Sequence, residues 1–415
     1  MPNQWSRSGF HTKVLIFLIL ALYLEVPLFF SENFYIPAFL TVFTIPILIF
    51  INRKIIFKSD AIFIVKIVFV LLLTALFSPR IDFIEDKLWG LAQTTVSIFA
   101  GILLVKEMSR LEHDTLKKIF YWLSLLLLVG TGLEVVGLIG SISDGFREVA
   151  FQQGGYRIYS NEERDLLIAG FLRPKFFTSE PSLLATGFFV FSTSWLLLAP
   201  SQRNWLLFMA ATLLMMFLTA SPIMLLSALI SLYIVGLHNK QRRKIMVIFL
   251  AIMMLVPFFI FFGSLFGGIS ERFISAREDV NYFQINSENL RIVFPYLTAM
   301  DVLRSSPIFG VGISGKELIG SFSTLNIDPS DAFGNNNFAA LFIYLGFFGT
   351  FLFARTFYLY LSRHLLSYQL PMIVILILSF AHMGGGFESP RFWGYIFIFI
   401  GVLGVQARTY RGLNE

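Results

Sequence analysis

The residues best suited to chemistry lie in short polar segments between long apolar runs. One such segment runs from Arg173 through Lys175 and Ser179 to Glu180, Pro181 and Ser182. It places two cations near one carboxylate, a set that could hold an anionic headgroup and manage one proton. Glu180 before Pro181 is also a good helix start, because proline suits the first turn and a carboxylate suits the positive helix end. Both readings stay open at this point. A second segment runs from Ser287 to Ser305, with polar or helix-breaking positions at 287, 291, 295, 298, 301 and 305. That spacing predicts an amphipathic helix with a narrow polar stripe carrying Arg291 and Asp301. Arg304 follows Asp301 by one helical step, which allows a local ion pair. Such a helix would lie along a membrane surface or pack on a helical bundle. The simpler reading is an interfacial helix whose arginines touch lipid headgroups. Pro307, Gly310 and Gly312 stop it.

Asn335, Asn336 and Asn337 precede Phe338 and a long apolar run. Asparagine is a favoured N-cap, yet three in a row exceed what one cap requires, and their amides could bind sugar hydroxyls. His382 and Glu388 stand in a glycine-rich turn near the end of the chain and could titrate. A lone histidine near a helix end is more often satisfied structurally. Glu134 is the most costly charge within an apolar run.

Several chemistries are without a motif. The absence of cysteine removes disulfides, thiolate catalysis and Cys-based metal sites. Glu162, Glu163 and Asp165, and the pair Glu278 and Asp279, read as solvated charge clusters, and no His-rich metal spacing appears. No phosphate-cradling glycine loop follows a strand, and no nucleophile elbow is present. The formal charge of +6 comes from basic residues that punctuate apolar runs, which argues against nucleic acid as a partner.

The elements that must position these groups are membrane helices. Apolar residues make up 56% of the chain and charged residues only 14%, with a mean hydropathy of +0.74. Soluble domains carry nearly twice that charge, so the balance points to lipid as solvent. Runs of roughly 20 apolar residues, the length a bilayer core requires, fall at 14–30, 34–51, 61–77, 88–105, 119–140, 182–199, 204–219, 222–237, 245–263, 336–354, 370–384 and 391–407. The first lacks a small-residue cleavage site and reads as a retained helix. This predicts an all-α polytopic membrane protein of about 12 spans, one integral membrane domain over 1–415. Lys and Arg concentrate in alternate short connections, including Arg53, Lys54 and Lys58, Lys106 and Arg110, and Arg242, Arg243 and Lys244. By the positive-inside rule both termini are cytoplasmic, and an even span count agrees. Two long segments, 141–181 and 264–335, then share the outer face, with the amphipathic helix in the second. No internal repeat is evident.

With these residues in view, the chain resembles the O-antigen polymerase and O-antigen ligase superfamily of bacterial inner-membrane glycosyltransferases. The likeness rests on the span layout with a large penultimate outer loop, and on Arg291 leading to Pro307, Gly310 and Gly312 as an Arg-then-Pro-x-x-Gly-x-Gly pattern. It rests also on Arg173 upstream of Glu180-Pro181-Ser182, and on Asn335-Asn336-Asn337-Phe338 leading to Leu345-Gly346. Ligases of the superfamily carry a histidine where Asn335 stands, while the Phe-x-x-Glu-Pro-Ser element is similar to the polymerases. The resemblance therefore implies a polymerase, with a ligase of the same superfamily as its alternative. The rival from another class is a transporter such as a lipid-linked oligosaccharide flippase, which the lack of an internal repeat disfavours. The resemblance implies transfer of a growing glycan from undecaprenyl diphosphate onto a lipid-linked repeat unit at the periplasmic face, without cofactor or metal. Arg291 and Arg173 would hold the diphosphate, with Arg304, Lys175 and Arg157 assisting. Glu180 would act as base, and Asn335 and Asn336 would contact sugars. A chain-length regulator is an expected protein partner on the same ground.

Overall fold

The computed structural model describes residues 4–29, 35–51, 58–151, 172–221, 223, 224, 228, 230, 294–313, 316–322, 336–382 and 386–412. In chain order the helices are α1 (Gln4–Leu24), α2 (Phe39–Ile51), α3 (Lys58–Phe77), α4 (Ile84–Ser109), α5 (His113–Val135) and α6 (Gly140–Phe151). They continue as α7 (Pro181–Leu198), α8 (Gln202–Thr219), α9 (Phe294–Ser305), α10 (Lys316–Gly320), α11 (Asn337–His364), α12 (Leu370–Ala381) and α13 (Pro390–Gly412). A two-residue antiparallel pair, β1 (Leu28–Phe29) with β2 (Tyr35–Ile36), closes the turn between α1 and α2 with Leu28 opposite Ile36.

Among the described residues six helices, α3, α4, α5, α7, α11 and α13, are long and apolar enough to cross a membrane, and the helices within Gly9–Leu24, Phe39–Ile49 and Ser367–Ala381 are apolar but shorter. The chain is thus a multi-pass α-helical membrane protein. The predicted spans 222–237 and 245–263 lie outside the described residues but for a few positions. Elsewhere the ends move. The span predicted at 119–140 ends at Val135, where Gly137 takes a positive φ of 81°. The first long loop accordingly opens with a helix, α6, that hydropathy alone does not reveal.

The described residues divide into two compact units, one made of 1–53, 100–254 and 394–415, the other of 54–99 and 255–393. In the first, α5 packs on α7 and α8, and α6 folds back on α5. α7 carries no charged residue and is almost entirely buried, its serines and threonines included, as expected of a helix enclosed by others. Close approaches are made over glycine: Gly187 of α7 faces the Tyr23 ring, Gly394 faces Leu22 and Gly401 faces Met108. Small residues let helix backbones approach where lipid supplies no hydrophobic drive. Glu107 is fully buried near the end of α4 and is bonded by His11 at 2.7 Å and Arg110 at 3.1 Å.

In the second unit α11 is the central strut, with α3, α9 and α12 packed along it. Phe63 of α3 stacks on Tyr360 of α11 at 4.2 Å between ring centroids. Lys87 is buried where α3 turns into α4, and its ammonium donates to the Ser78 hydroxyl and to the carbonyls of Pro79 and Arg80. It gives partners to carbonyls of the turn that follows α3, which the secondary structure leaves unpaired.

Candidate functional site

In the first unit the segment from Arg173 to Glu180 is held by side chains. Phe176 and Phe177 both have positive φ, at 37° and 65°, a conformation that costs a large L-residue about 1–3 kcal/mol and persists only where its surroundings fix it. Three bonds fix it here. The Phe176 N–H donates to the Glu134 carboxylate at 2.5 Å, the Phe177 N–H donates to the Ser143 hydroxyl at 3.1 Å, and the Tyr23 hydroxyl donates to the Phe176 carbonyl at 2.8 Å. Glu134 and Arg147 are both buried and stand 4.0 Å apart, and Arg147 also pairs with Asp144 one turn earlier on α6. The costly charge at Glu134 is therefore neutralised and used as an acceptor for a strained turn. Gly130 leaves room for the Phe176 ring, since a Cβ there would lie 2.1 Å from it.

Beyond that turn Glu180 is the residue before α7, with Pro181 in the first turn, as its sequence predicts. Its carboxylate does not cap the backbone of α7. It accepts from the Ser182 hydroxyl at 2.8 Å instead. Arg173 and Lys175 are half-buried on the same segment, and the buried Thr178 hydroxyl lies between the carbonyls of Lys175 and Glu180. Two cations and a carboxylate thus sit on one rigid turn.

The second unit builds its part from main chain. After α9, the turn from Pro307 to Gly312 lies against a break in α11 at Gly346, whose φ of 62° and ψ of −168° interrupt the helix. The break frees carbonyls and N–H groups inside an apolar helix, a serious cost unless they are re-satisfied. The turn supplies the partners. The Val311 and Gly312 N–H groups donate to the Ile343 and Tyr344 carbonyls at 2.9 Å each, and the Phe347 and Phe348 N–H groups donate to the Pro307 and Ile308 carbonyls at 2.8 and 3.1 Å. Gly310 and Gly346 permit this approach. A Cβ on Gly310 would sit 2.4 Å from the Ile343 oxygen, and one on Gly346 would sit 2.5 Å from the Gly310 nitrogen. The Pro-x-x-Gly-x-Gly and Leu-Gly elements, separate in sequence, are therefore one structural joint.

Helix α9 is described from Phe294. It packs Ala299 and Val302 against Ala339 and Ile343 of α11. Its polar stripe points inward, not toward solvent: Thr298 is fully buried and Asp301 nearly so, while Met300 is exposed. Asp301 forms the expected ion pair with Arg304 at 3.6 Å, and Arg304 is otherwise open.

Asn336 caps α11, its Oδ1 accepting from the Phe338 and Ala339 N–H groups at 3.1 and 3.0 Å. Its side chain also bonds the Tyr296 phenol of α9. Burial pushes that phenol above its ordinary pKa, and the bond from Asn336 opposes the rise. The Tyr296 hydroxyl lies 2.7 Å from Nε2 of His382, whose Nδ1 lies 2.7 Å from the Leu378 carbonyl. Phe338 stacks on the imidazole at 5.3 Å between centroids.

Of the predicted site residues, Arg173, Lys175 and Glu180 share one turn in the first unit, while Asn336 and Arg304 belong to the second. Arg291, Asn335 and Arg157 lie outside the described residues. Sequence reasoning missed the supports. Glu134 signalled its own need for a partner, and Arg147 is the next cation along the chain. For Tyr296 no signal marks the pairing, since it lies 86 residues from His382. Among the described residues no three His, Asp or Glu side chains gather closely enough to hold a metal ion.

Residues 206–354 match the family model described as O-antigen ligase. No curated protein and no solved structure gives a significant match. The matched stretch includes the glycine joint and the Asn336 cap, and it supports the O-antigen polymerase and ligase superfamily that the sequence motifs resemble.

Proposed function

We propose that this chain, tied to the O-antigen polymerase and ligase superfamily by its match over residues 206–354, is a surface-polysaccharide polymerase of the bacterial inner membrane. It transfers a growing glycan from undecaprenyl diphosphate onto a lipid-linked repeat unit, at the periplasmic face, with both termini in the cytoplasm. The acceptor hydroxyl attacks the anomeric carbon of the donor, the bond to the diphosphate oxygen breaks, and the electron pair leaves with undecaprenyl diphosphate. Diphosphate is a good leaving group once its charge is held. Arginine forks can do that without a metal. Arg291 and Arg173 take this role, with Arg304, Lys175 and Arg157 as further contacts. Glu180 is the carboxylate available as base, and Asn335 and Asn336 are the sugar contacts. A chain-length regulator is the partner such a polymerase would work with.

The observation that carries polymerase over ligase is Asn335. An amide stands where ligases of the superfamily carry a histidine, and it cannot take a proton. The rigid turn that presents Arg173, Lys175 and Glu180 supports an anion-holding role in the same reaction. The test is a lipopolysaccharide ladder gel from a strain deleted for this gene, with and without its return. A polymerase leaves core plus one repeat, and the ladder returns with the gene. Loss of every repeat, with lipid-linked polymer accumulating, means ligase. A flippase leaves repeat units unexported and no polymer in either pool.

A further inference from the structure

We infer that Tyr296 and His382 form the proton acceptor for the attacking sugar hydroxyl. The inference rests on the glycosyl-transfer reading above and gives the base role to this pair in place of Glu180.

The directions of the hydrogen bonds carry the argument. Nδ1 of His382 sits 2.7 Å from the Leu378 carbonyl, which can only accept, so Nδ1 bears the hydrogen and Nε2 bears the lone pair. The group 2.7 Å from Nε2 is the Tyr296 hydroxyl, which must then donate to it. Asn336 spends its Oδ1 on the Phe338 and Ala339 N–H groups and keeps only its NH2 for the Tyr296 oxygen. The phenol oxygen thus receives one bond from Asn336 and gives its proton to His382, and it retains one acceptor position. A sugar hydroxyl that donates there meets a proton path already aligned: its proton passes to the Tyr296 oxygen as the phenolic proton passes to Nε2. The hydroxyl oxygen forms the new glycosidic bond, the diphosphate departs with its electron pair, and His382 ends as imidazolium. No oxidant, reductant or further reactant enters.

The surroundings suit this use. Helix α9 brings Tyr296 to the ring, α11 brings Phe338, an uncharged aromatic stacked on the imidazole, and α12 brings only the Leu378 carbonyl. Among the described residues, Tyr296 is the titratable group that meets His382. His382 is exposed and Tyr296 half-buried, so a hydroxyl can reach the oxygen. Tyr296, which would touch the acceptor, is the catalytic residue. His382 acts through it.

The test is polymerisation by the purified full chain in proteoliposomes, fed undecaprenyl-diphosphate repeat units extracted from a polymerase-deleted strain. His382→Gln keeps an acceptor for the Tyr296 hydroxyl but cannot hold the proton. Its turnover should fall by about 100-fold or more, with KM for the repeat unit little changed. Tyr296→Phe keeps the ring packing and should lose as much, and the double variant should be no worse than either single one, because the two act as a unit. Should one variant fail to fold, the other still decides. Retained turnover in either variant, multiplicative losses in the double variant, or an equal loss of turnover at unchanged KM in Glu180→Gln would overturn the assignment. A wild-type protein that makes no polymer from these repeat units would overturn the glycosyl-transfer reading itself.

Discussion

Two turns in this protein solve the same problem with opposite means. The turn at Phe176 and Phe177 forces large side chains into positive φ and is held by a buried carboxylate, a hydroxyl and a phenol. The turn at Pro307–Gly312 is held by backbone bonds to the break at Gly346, and it works because side chains are absent at Gly310 and Gly346. The first depends on charge, so its order is lost with one carboxylate. The second depends on volume and is indifferent to charge. A region that carries two cations and a carboxylate is thus supported by electrostatics, and a region that seats a helix cap and an aromatic cluster is supported by packing. The contrast also separates the ways in which each can be broken.

The largest effect is expected at the glycine joint. Gly346→Ala puts a Cβ 2.5 Å from main-chain atoms at a φ of 62°, where nothing flexible can yield. A loss of about 4 kcal/mol or more follows, read as failure to recover monodisperse protein from detergent extracts. Next comes Glu134→Ala, which takes the acceptor from the Phe176 N–H and one of two carboxylates from the buried Arg147. It should cost about 3 kcal/mol in thermal or denaturant unfolding, with Glu134→Gln falling between it and wild type. Equal losses for the Gln and Ala variants would show that the charge is not what holds that turn. Asn336→Ala removes the cap of α11 and should cost about 1 kcal/mol. Asn336→Asp keeps the capping oxygen, so its unfolding midpoint should stay near that of wild type.

The smallest effect marks the limit of the charge argument. Arg80 and Asp82 form an exposed pair between α3 and α4, and the Arg80 guanidinium holds the Asp82 carboxyl below its ordinary range. A depressed carboxylate contributes stability above its unfolded pKa and loses it as pH falls through the folded value. Because the pair is open to solvent, that contribution is screened. Asp82→Asn should leave the unfolding midpoint unchanged at neutral pH and in salt, whereas Glu134→Ala should not. If Asp82→Asn destabilises as much as Glu134→Ala, burial is not what separates the two carboxylates.

Much of this was legible in the amino-acid sequence for definite reasons. Apolar runs located α3, α4, α7, α11 and α13 because a bilayer demands length and hydropathy together. Glu180-Pro181 announced the start of α7, and the Asn336 cap was readable for the same local reason. The Pro307, Gly310 and Gly312 pattern was visible too, but not its use, because its partner Gly346 lies beyond an intervening stretch of chain. The inward turn of the α9 stripe escaped because periodicity defines a face and not what covers it. Tyr296 and His382 meet only through the packing of α9 and α12 on α11, which no local signal records.

The central claim is that this chain lengthens lipid-linked glycans. The most direct measurement supplies the purified chain in liposomes with undecaprenyl-diphosphate repeat units, with or without lipid A–core, and sizes the products. The account predicts elongated lipid-linked glycan from repeat units alone, unaffected by added lipid A–core. Product that appears only when lipid A–core is present, at one transfer per core and without growth of the lipid-linked chain, would contradict it.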